Sequence, residues 1–388
     1  MRSILKRLMQ AVLVIGLLII VAAIWKREEV GRLLAVNSLF SEEKIVQNFS
    51  NMDRAFLTKP MSRGDGPASA LRAGETITLP EGAQQWLSDR AVTALVVLQD
   101  GKLRHESYHL GTSPEDRRIS WSVAKSFLSA LTGIVLEQGA IASLDDPVEQ
   151  YAPALRGSAY EGASIRNVLN MSSGVVFNED YLDFDSDINR MGRVLALGQS
   201  MDEFAAGLTE TFIGPGETWR YVSIDTHIIG MVIRGATGQT IPDLLEKHVV
   251  QNMGFEADPY YLTDGYGAAF VLGGLNLRAR DYARFGQMFL QGGTWNGSQI
   301  VPADWVVHST RPSARTAPGE EQYGYQWWIA PDAPEGEYFA RGIYGQYIFI
   351  DSARNVVIAA NGADRGFRED GAHDANVDMF RAIAASMD

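Results

Sequence analysis

The stretch AVTALVVLQDGKLRHESYHLG, residues 91–111, decides the fold, because two incompatible structures compete for it. As a helix it would carry His105, Glu106 and His109 in the pattern H-E-x-x-H, two histidines one turn apart binding zinc with a glutamate between them as base. As strands it reads differently. Val92 to Gln99 is a continuous run rich in Val and Leu, Asp100-Gly101 is a strong two-residue hairpin signal, and Lys102 to Leu110 alternates residue types. This second reading is the better supported. On a strand, residues four apart are separated by about 13 Å at roughly 3.3 Å per residue, so His105 and His109 share a face without sharing an ion. No metal site is expected here, and the segment belongs to an antiparallel sheet.

Strands of the same kind return near the C-terminus. EYFARG (337–342), GQYIFID (345–351) and NVVIAAN (355–361) read as consecutive antiparallel strands, and DANVDMFRAIAASM (374–387) reads as a closing helix. Between the two sheet regions the period changes. In SWSVAKSFLSALTGIVLEQGAI (120–141), Phe127, Leu128, Leu131, Ile134 and Val135 recur at helical spacing, with Ser122 at the start and Gly139 at the stop. Residues from about 140 to 260 are mostly helix and loop, and ARDYARFGQMFLQGG (279–293) is a further helix ended by Gly292-Gly293. The expected fold is α+β over about residues 80–388. An antiparallel sheet is flanked by N- and C-terminal helices, with a mostly helical subdomain inserted at about 140–260. The cleft between two such parts is where an active site is expected.

The N-terminus has another character. LMQAVLVIGLLIIVAAIW, residues 8–25, carries no charge and follows Arg2, Lys6 and Arg7. As a helix at about 1.5 Å per residue it is just long enough to cross roughly 30 Å of hydrocarbon. Val21-Ala22-Ala23 supplies small residues where a signal peptide would be cut, but the apolar run exceeds the usual signal core. Residues 1–30 are therefore expected to be an uncleaved inner-membrane anchor with the body extracytoplasmic (periplasmic); secretion after cleavage is the alternative. Residues 31–79, which include KPMSRGDGPASALRAGE, read as a stalk.

Composition narrows the chemistry. The chain of 388 residues is 46% hydrophobic and 21% charged, an ordinary globular balance with material for a large core. It has no cysteine, which excludes disulfides, a thiolate nucleophile and a lipid-modified cysteine. A net charge of −13 without a polybasic block argues against a nucleic-acid partner. No P-loop and no G-x-G-x-x-G is present, so no nucleotide cofactor is implied, and the absence of G-x-S-x-G leaves the α/β-hydrolase elbow unsupported.

What remains is a serine beside a lysine. In Ser-x-x-Lys at a helix start the two residues share one face, and a lysine kept neutral by burial can take the serine proton. The pattern alone is common: Ser3/Lys6, Ser41/Lys44 and Ser122/Lys125 account for three of the seven lysines. Only Ser122/Lys125 opens an apolar helix deep in the body.

Four pieces in order carry a resemblance. SVAKS (122–126), LNMSSG (169–174), GPGETWRYVS (214–223) and GIYGQYIFID (342–351) resemble the motifs of the serine β-lactamase-like superfamily. That superfamily includes class C β-lactamases, D-alanyl-D-alanine carboxypeptidases, family VIII esterases and 6-aminohexanoate-dimer hydrolase. The resemblance covers about residues 80–388 and implies a β-lactamase/transpeptidase-like fold. It makes Ser122 the acylated nucleophile, Lys125 its base partner and Tyr221 the proton shuttle to the leaving group. Ser223 stands where the family often has asparagine at a substrate amide. Ile343-Tyr344-Gly345 stands at the third motif, usually Lys-Thr-Gly or His-x-Gly, and the amides of Ser122 and Gln346 would form the oxyanion hole. Tyr181 matches a substrate-contacting tyrosine of the amide-cleaving members, with Asp183, Asp185 and Asp187 as candidate partners for a substrate amine. Ile343 offers no cation to a substrate carboxylate, with Arg341 one step along the same face as the nearest substitute. The expected activity is therefore hydrolysis of a small ester or amide through a Ser122 acyl-enzyme. The alternatives are a penicillin-recognising β-lactamase or carboxypeptidase, and a non-catalytic cell-envelope binding protein on the same fold.

Overall fold

The computed structural model describes residues 5–10, 12–14, 16–17 and 27–388. Asp100 and Gly101 both adopt positive φ, 51° and 71°, the turn geometry whose twist matches the strands it joins. They link β2 (Val92–Gln99) to β3 (Lys102–Tyr108), with Val97 opposite His105 and Val96 opposite Glu106. The hairpin gathers the two histidines of H-E-x-x-H on one serine hydroxyl and turns the glutamate to the other face. His105 and His109 each bring Nε2 to Ser107 Oγ, at 3.0 and 2.9 Å, whereas Glu106 accepts from Arg280 Nε and Nη2 at 2.7 and 2.6 Å.

The hairpin lies in an eight-stranded sheet of order β4-β5-β6-β7-β8-β2-β3-β1. Its other strands are β1 (Arg72–Ala73), β4 (Gln322–Tyr323), β5 (Trp328–Ile329), β6 (Glu337–Gly342), β7 (Gln346–Asp351) and β8 (Val356–Gly362). All neighbours run antiparallel except β1 beside β3. Val92 to Leu98 of β2 are buried without exception, because helices cover both faces of the sheet; this is why the strand reads as a solid apolar run.

Five helices frame the site: α1 (Ala124–Glu137), α2 (Asp225–Thr237), α3 (Ala279–Leu290), α4 (Ala303–Ser309) and α5 (Ala372–Ala385). On one face of the sheet α5 packs with the helix Ala83–Asp89, where Trp86 meets Phe380 edge-on at 5.7 Å and donates to Asn376 Oδ1 at 2.9 Å. The other face carries α3. Gly286 lets it lie close, since a Cβ there would come within 2.6 Å of Ile348 and Val357 side chains.

Behind α3 runs α1, twelve of whose fourteen residues are buried, as expected of a helix apolar nearly all round. Phe127 stacks on Phe285 at 3.6 Å, and Ser126 Oγ donates to Gln326 O at 2.7 Å. Gly133 is the tightest point. A Cβ there would stand 2.2 Å from the Trp305 indole of α4, which is itself buried and packed on Tyr325. Gly133→Ala is expected to destabilise the fold by ~2–3 kcal/mol through overpacking, read as a lowered urea midpoint at unchanged slope. An unchanged midpoint would show that α1 and α4 separate freely.

Between α1 and α3 lies a run of short helices, including Ile165–Leu169, Asp187–Ala196, Met201–Ala206 and α2, which ends at the strand Tyr260–Thr263. That strand belongs to a second, four-stranded sheet absent from the expectation. Its order is Leu57–Pro60, Tyr260–Thr263, Leu275–Arg278 and Arg117–Ile119.

The first of these strands corrects the stalk expected at 31–79. Leu39, Ile45, Phe49, Met52 and Phe56 are buried in the main core, and Ile119 N donates to Phe49 O at 3.0 Å. Spaced irregularly among polar residues, these apolar positions show no period that a sequence reading would catch. Among the described residues no helix is long and apolar enough to cross a membrane. The run 8–25, expected as the anchor, lies largely outside the described residues.

Candidate active site

Ser122 sits in the single 3-10 turn Trp121–Val123 that leads into α1. The residue before it, Trp121, takes a positive φ of 41°, an uncommon backbone for a large side chain and one that concentrates at functional turns. The turn packs against the ends of β6 and β7. Gly342 makes that approach possible, because a Cβ there would lie 2.8 Å from Ser120 O and 3.0 Å from Ser122 N. The reach of β6 toward the serine amide therefore depends on a glycine that the sequence did not flag.

One turn on, Lys125 is 2% exposed and its Nζ donates to Leu272 O at 2.9 Å. Burial lowers its pKa to about 7, against the upward pull of the Glu179 and Asp225 carboxylates. Its amine lies 5.5 Å from the centre of the Tyr221 ring. Tyr221 is fixed by stacking on Trp328 at 5.3 Å, and its hydroxyl has Ser122 among its hydrogen-bonding neighbours. Burial, reinforced by the charge of Glu179, holds this phenol above its ordinary pKa. The cluster thus pairs an amine inclined to be neutral with a phenol inclined to keep its proton.

Ser122 and Tyr221 open on a cleft of about 490 Å³, lined also by Tyr181, Ile343 and Gly345, among others, while Lys125 stays buried behind it. The remaining expected contacts lie elsewhere. Ser223 is buried, and its Oγ donates to Glu179 Oε2 at 3.0 Å while its amide donates to the other carboxylate oxygen. Tyr344, at φ 61°, turns its ring out of the cleft to stack on Phe40 at 5.2 Å and meet Phe367 at 4.7 Å. Gln346 directs its side chain backwards, donating to Gly362 O at 2.9 Å and Tyr344 O at 3.1 Å, and so braces the 343–345 turn from behind. Asp183 and Asp187 bond the amides of Asp185 and Asn178, and neither they nor Asp185 line the cleft.

Glu179 is the functional candidate the sequence reading missed. It lines the cleft, binds Ser223, has Tyr181 as a hydrogen-bonding neighbour and exchanges charge with Lys125. Burial raises its pKa, partly offset by the Ser223 amide and by Lys125. No local signal marks it: residues 178–182 form loop and turn, and Glu179 stands there among several other acidic residues.

The β-lactamase family profile matches residues 84–378, and the chain belongs to that family, a family of serine hydrolases. Among its relatives is the 6-aminohexanoate-dimer hydrolase of Paenarthrobacter ureafaciens, 29% identical over 327 residues that cover 80% of this chain and 83% of the relative. A β-lactamase of Pseudomonas fluorescens is 25% identical over 175 residues, 43% of this chain and 45% of that protein. The solved structure of a putative 6-aminohexanoate-dimer hydrolase from Bacillus anthracis superposes with a TM-score of 0.76 at 22% identity, covering 89% of this chain and 95% of that one.

Proposed function

We propose that the protein hydrolyses a small ester or amide through an acyl-enzyme on Ser122. The observation that carries this reading is the desolvated Lys125, its pKa lowered to about 7 and its amine 5.5 Å from the centre of the Tyr221 ring, directly behind a cleft that Tyr221 and Ser122 line. Ser122 Oγ attacks the substrate carbonyl while neutral Lys125 takes its proton. The oxyanion forms against the amides of Ser122 and Gln346, each donor contributing about 3 kcal/mol to lowering the barrier. Tyr221, still protonated, delivers its proton to the leaving alcohol or amine and recovers one from Lys125. Water then attacks the acyl-Ser122 carbonyl, the same groups returning a proton to Oγ as the acid departs. Glu179 fixes the buried Ser223 and the cleft-lining Tyr181 and adds the negative charge that keeps Tyr221 protonated.

The intact set Ser122, Lys125 and Tyr221 favours this over a binding role, which does not require a desolvated lysine. Ile343, at the position where penicillin-recognising relatives place a cation, favours a linear ester or amide over a β-lactam. A short-chain ester, a linear amide dimer and a chromogenic cephalosporin separate these readings. The first or second is expected to be turned over at least about 100-fold more efficiently than the third, the loss associated with one missing charged hydrogen bond. Cephalosporin turnover matching the best of the others would overturn the argument from Ile343.

A further inference from the structure

The two amides assigned to the oxyanion each depend on a neighbour with an unusual backbone. The Ser122 N–H belongs to the peptide that joins it to Trp121, at φ 41°, and the oxygen of that peptide accepts from Ser120 Oγ at 3.0 Å, which turns the N–H the opposite way. The Gln346 N–H follows the three-residue loop Ile343 to Gly345 between β6 and β7, and Tyr344 at its tip takes φ 61°. Large side chains keep such conformations only where their surroundings fix them. Here the surroundings are aromatic and come from the N-terminal segment. Phe49 meets the Trp121 ring at 5.5 Å and the Tyr344 ring at 5.3 Å, edge-on to both. Phe40 stacks on Tyr344 at 5.2 Å and lies 5.8 Å from Trp121, and Trp121 and Tyr344 are themselves 6.1 Å apart. Each phenylalanine therefore touches both rings. The segment is fastened in its turn. Ile119 N donates to Phe49 O at 3.0 Å and buried Arg118 donates to Ser50 Oγ at 2.8 Å, while Asn48 Nδ2 donates to Ser38 O and Leu39 O at 2.9 and 3.1 Å, fixing the turn that presents Phe40.

We infer that Phe40 and Phe49 are positioning residues of the oxyanion hole, gripping Trp121 and Tyr344 together so that the Ser122 and Gln346 amides stay aimed at one point. The inference rests on the acyl-enzyme reading of Ser122. Both phenylalanines precede residues 84–378, the part that the family profile matches, so a segment outside that part completes the site. Neither lines the cleft. Their effect is on alignment, and alignment matters because donors serve the transition state only where the negative charge develops, a displacement of about 1 Å being enough to weaken them. Gly342 brings the two backbones together, since even a Cβ there would stand 3.0 Å from Ser122 N, and the four rings set their relative orientation.

The test uses Phe40→Ala in the full chain with a chromogenic short-chain ester. Phe40 is 40% exposed, so its removal should leave the melting curve nearly unchanged. kcat and kcat/KM are expected to fall together by about 10-fold with KM kept, because the interaction weakened is made only in the transition state. Affinity for a boronic acid, whose serine adduct puts an oxygen at the oxyanion position, should fall by the same factor. The acid limb of the pH profile should stay where the wild type has it, since Lys125 is undisturbed. Phe40→Tyr, which keeps the ring, is expected to match the wild type. Phe40→Leu, which keeps apolar bulk without a flat ring, should fall between the two and gives the same reading if the alanine variant fails to fold. Wild-type kcat in both Phe40→Ala and Phe40→Leu, a rise in KM alone, or equal losses in Phe40→Ala and Phe40→Tyr overturns the inference. Labelling of wild-type Ser122 by a fluorophosphonate, run in parallel, separates the two levels. If Ser122 is labelled and kcat ignores the ring at position 40, the positioning inference alone fails. If Ser122 is not labelled, the proposed function fails with it.

Discussion

Ser122→Ala is expected to lower kcat by about 10⁴- to 10⁶-fold, the scale on which a lone nucleophile is lost from a cooperating set. The stability of the fold should hardly change. Ser122 is partly exposed at the cleft floor, and removing one hydroxyl from such a place shifts stability by about 0.5 kcal/mol or less. The two readouts together are the point, because a loss of activity with an unchanged melting curve places the defect in chemistry. Retention of more than about one per cent of the activity would mean that another group attacks the carbonyl, since residual catalysis from binding and the oxyanion hole is far smaller.

Lys125→Met is expected to cost about 10²- to 10⁴-fold in acylation, the usual contribution of a positioned base. Lys125→Arg should fail similarly, because a guanidinium stays charged at any working pH. The wild-type profile follows from the same burial. With the amine titrating at about 7, acylation should rise about tenfold per pH unit below that value and level off above it, since only the neutral form accepts the serine proton. Stability should carry a matching signature. Between about 7 and the ordinary lysine value of 10.5 the unfolded chain binds a proton at this residue that the folded chain has released, so this group makes the fold more stable as pH rises across that window. Lys125→Met should remove that slope. Asp225, raised to about 7 by burial, titrates in the window below and contributes with the opposite sign, stability falling as pH rises from 3.8 toward 7. An acid limb centred near 4, or a profile unchanged by the mutation, would assign the base elsewhere.

The sheet was legible because its signals are local. Asp100-Gly101 needs two positive φ values that few other pairs adopt readily, and the buried β2, β7 and β8 show as solid apolar runs. The helix behind Ser122 was legible for the same reason, its period being clear over four turns. What escaped depends on residues far apart in sequence. Phe40 and Phe49 pack on Tyr344, some three hundred positions later, and nothing in the local pattern of residues 31–79 announces that partner. The site divides in the same way. Ser122, Tyr221, Tyr181, Ile343 and Gly345 line one cleft, with Lys125 buried behind Tyr221, because short motifs place them, whereas Ser223 and Tyr344 have motif positions but spend their side chains on Glu179 and Phe40. A motif fixes where the backbone goes, and the neighbours decide what a side chain has left to offer. Glu179 shows the converse: it sits among the acidic residues of an exposed loop, and only its burial against Ser223 and Lys125 distinguishes it from Asp183 or Asp185.

The most direct measurement of the central claim is to trap the acyl-enzyme and locate it. Full-length protein is treated with a fluorophosphonate at pH 8, digested, and the modified peptide identified by mass spectrometry, with Ser122→Ala and Lys125→Met alongside. The expected result is one adduct on the peptide bearing Ser122, none at that position in Ser122→Ala, and labelling at least about 100-fold slower in Lys125→Met. Equal labelling of wild type and Ser122→Ala, or ester hydrolysis by a wild-type protein that takes no label at all, would contradict the account.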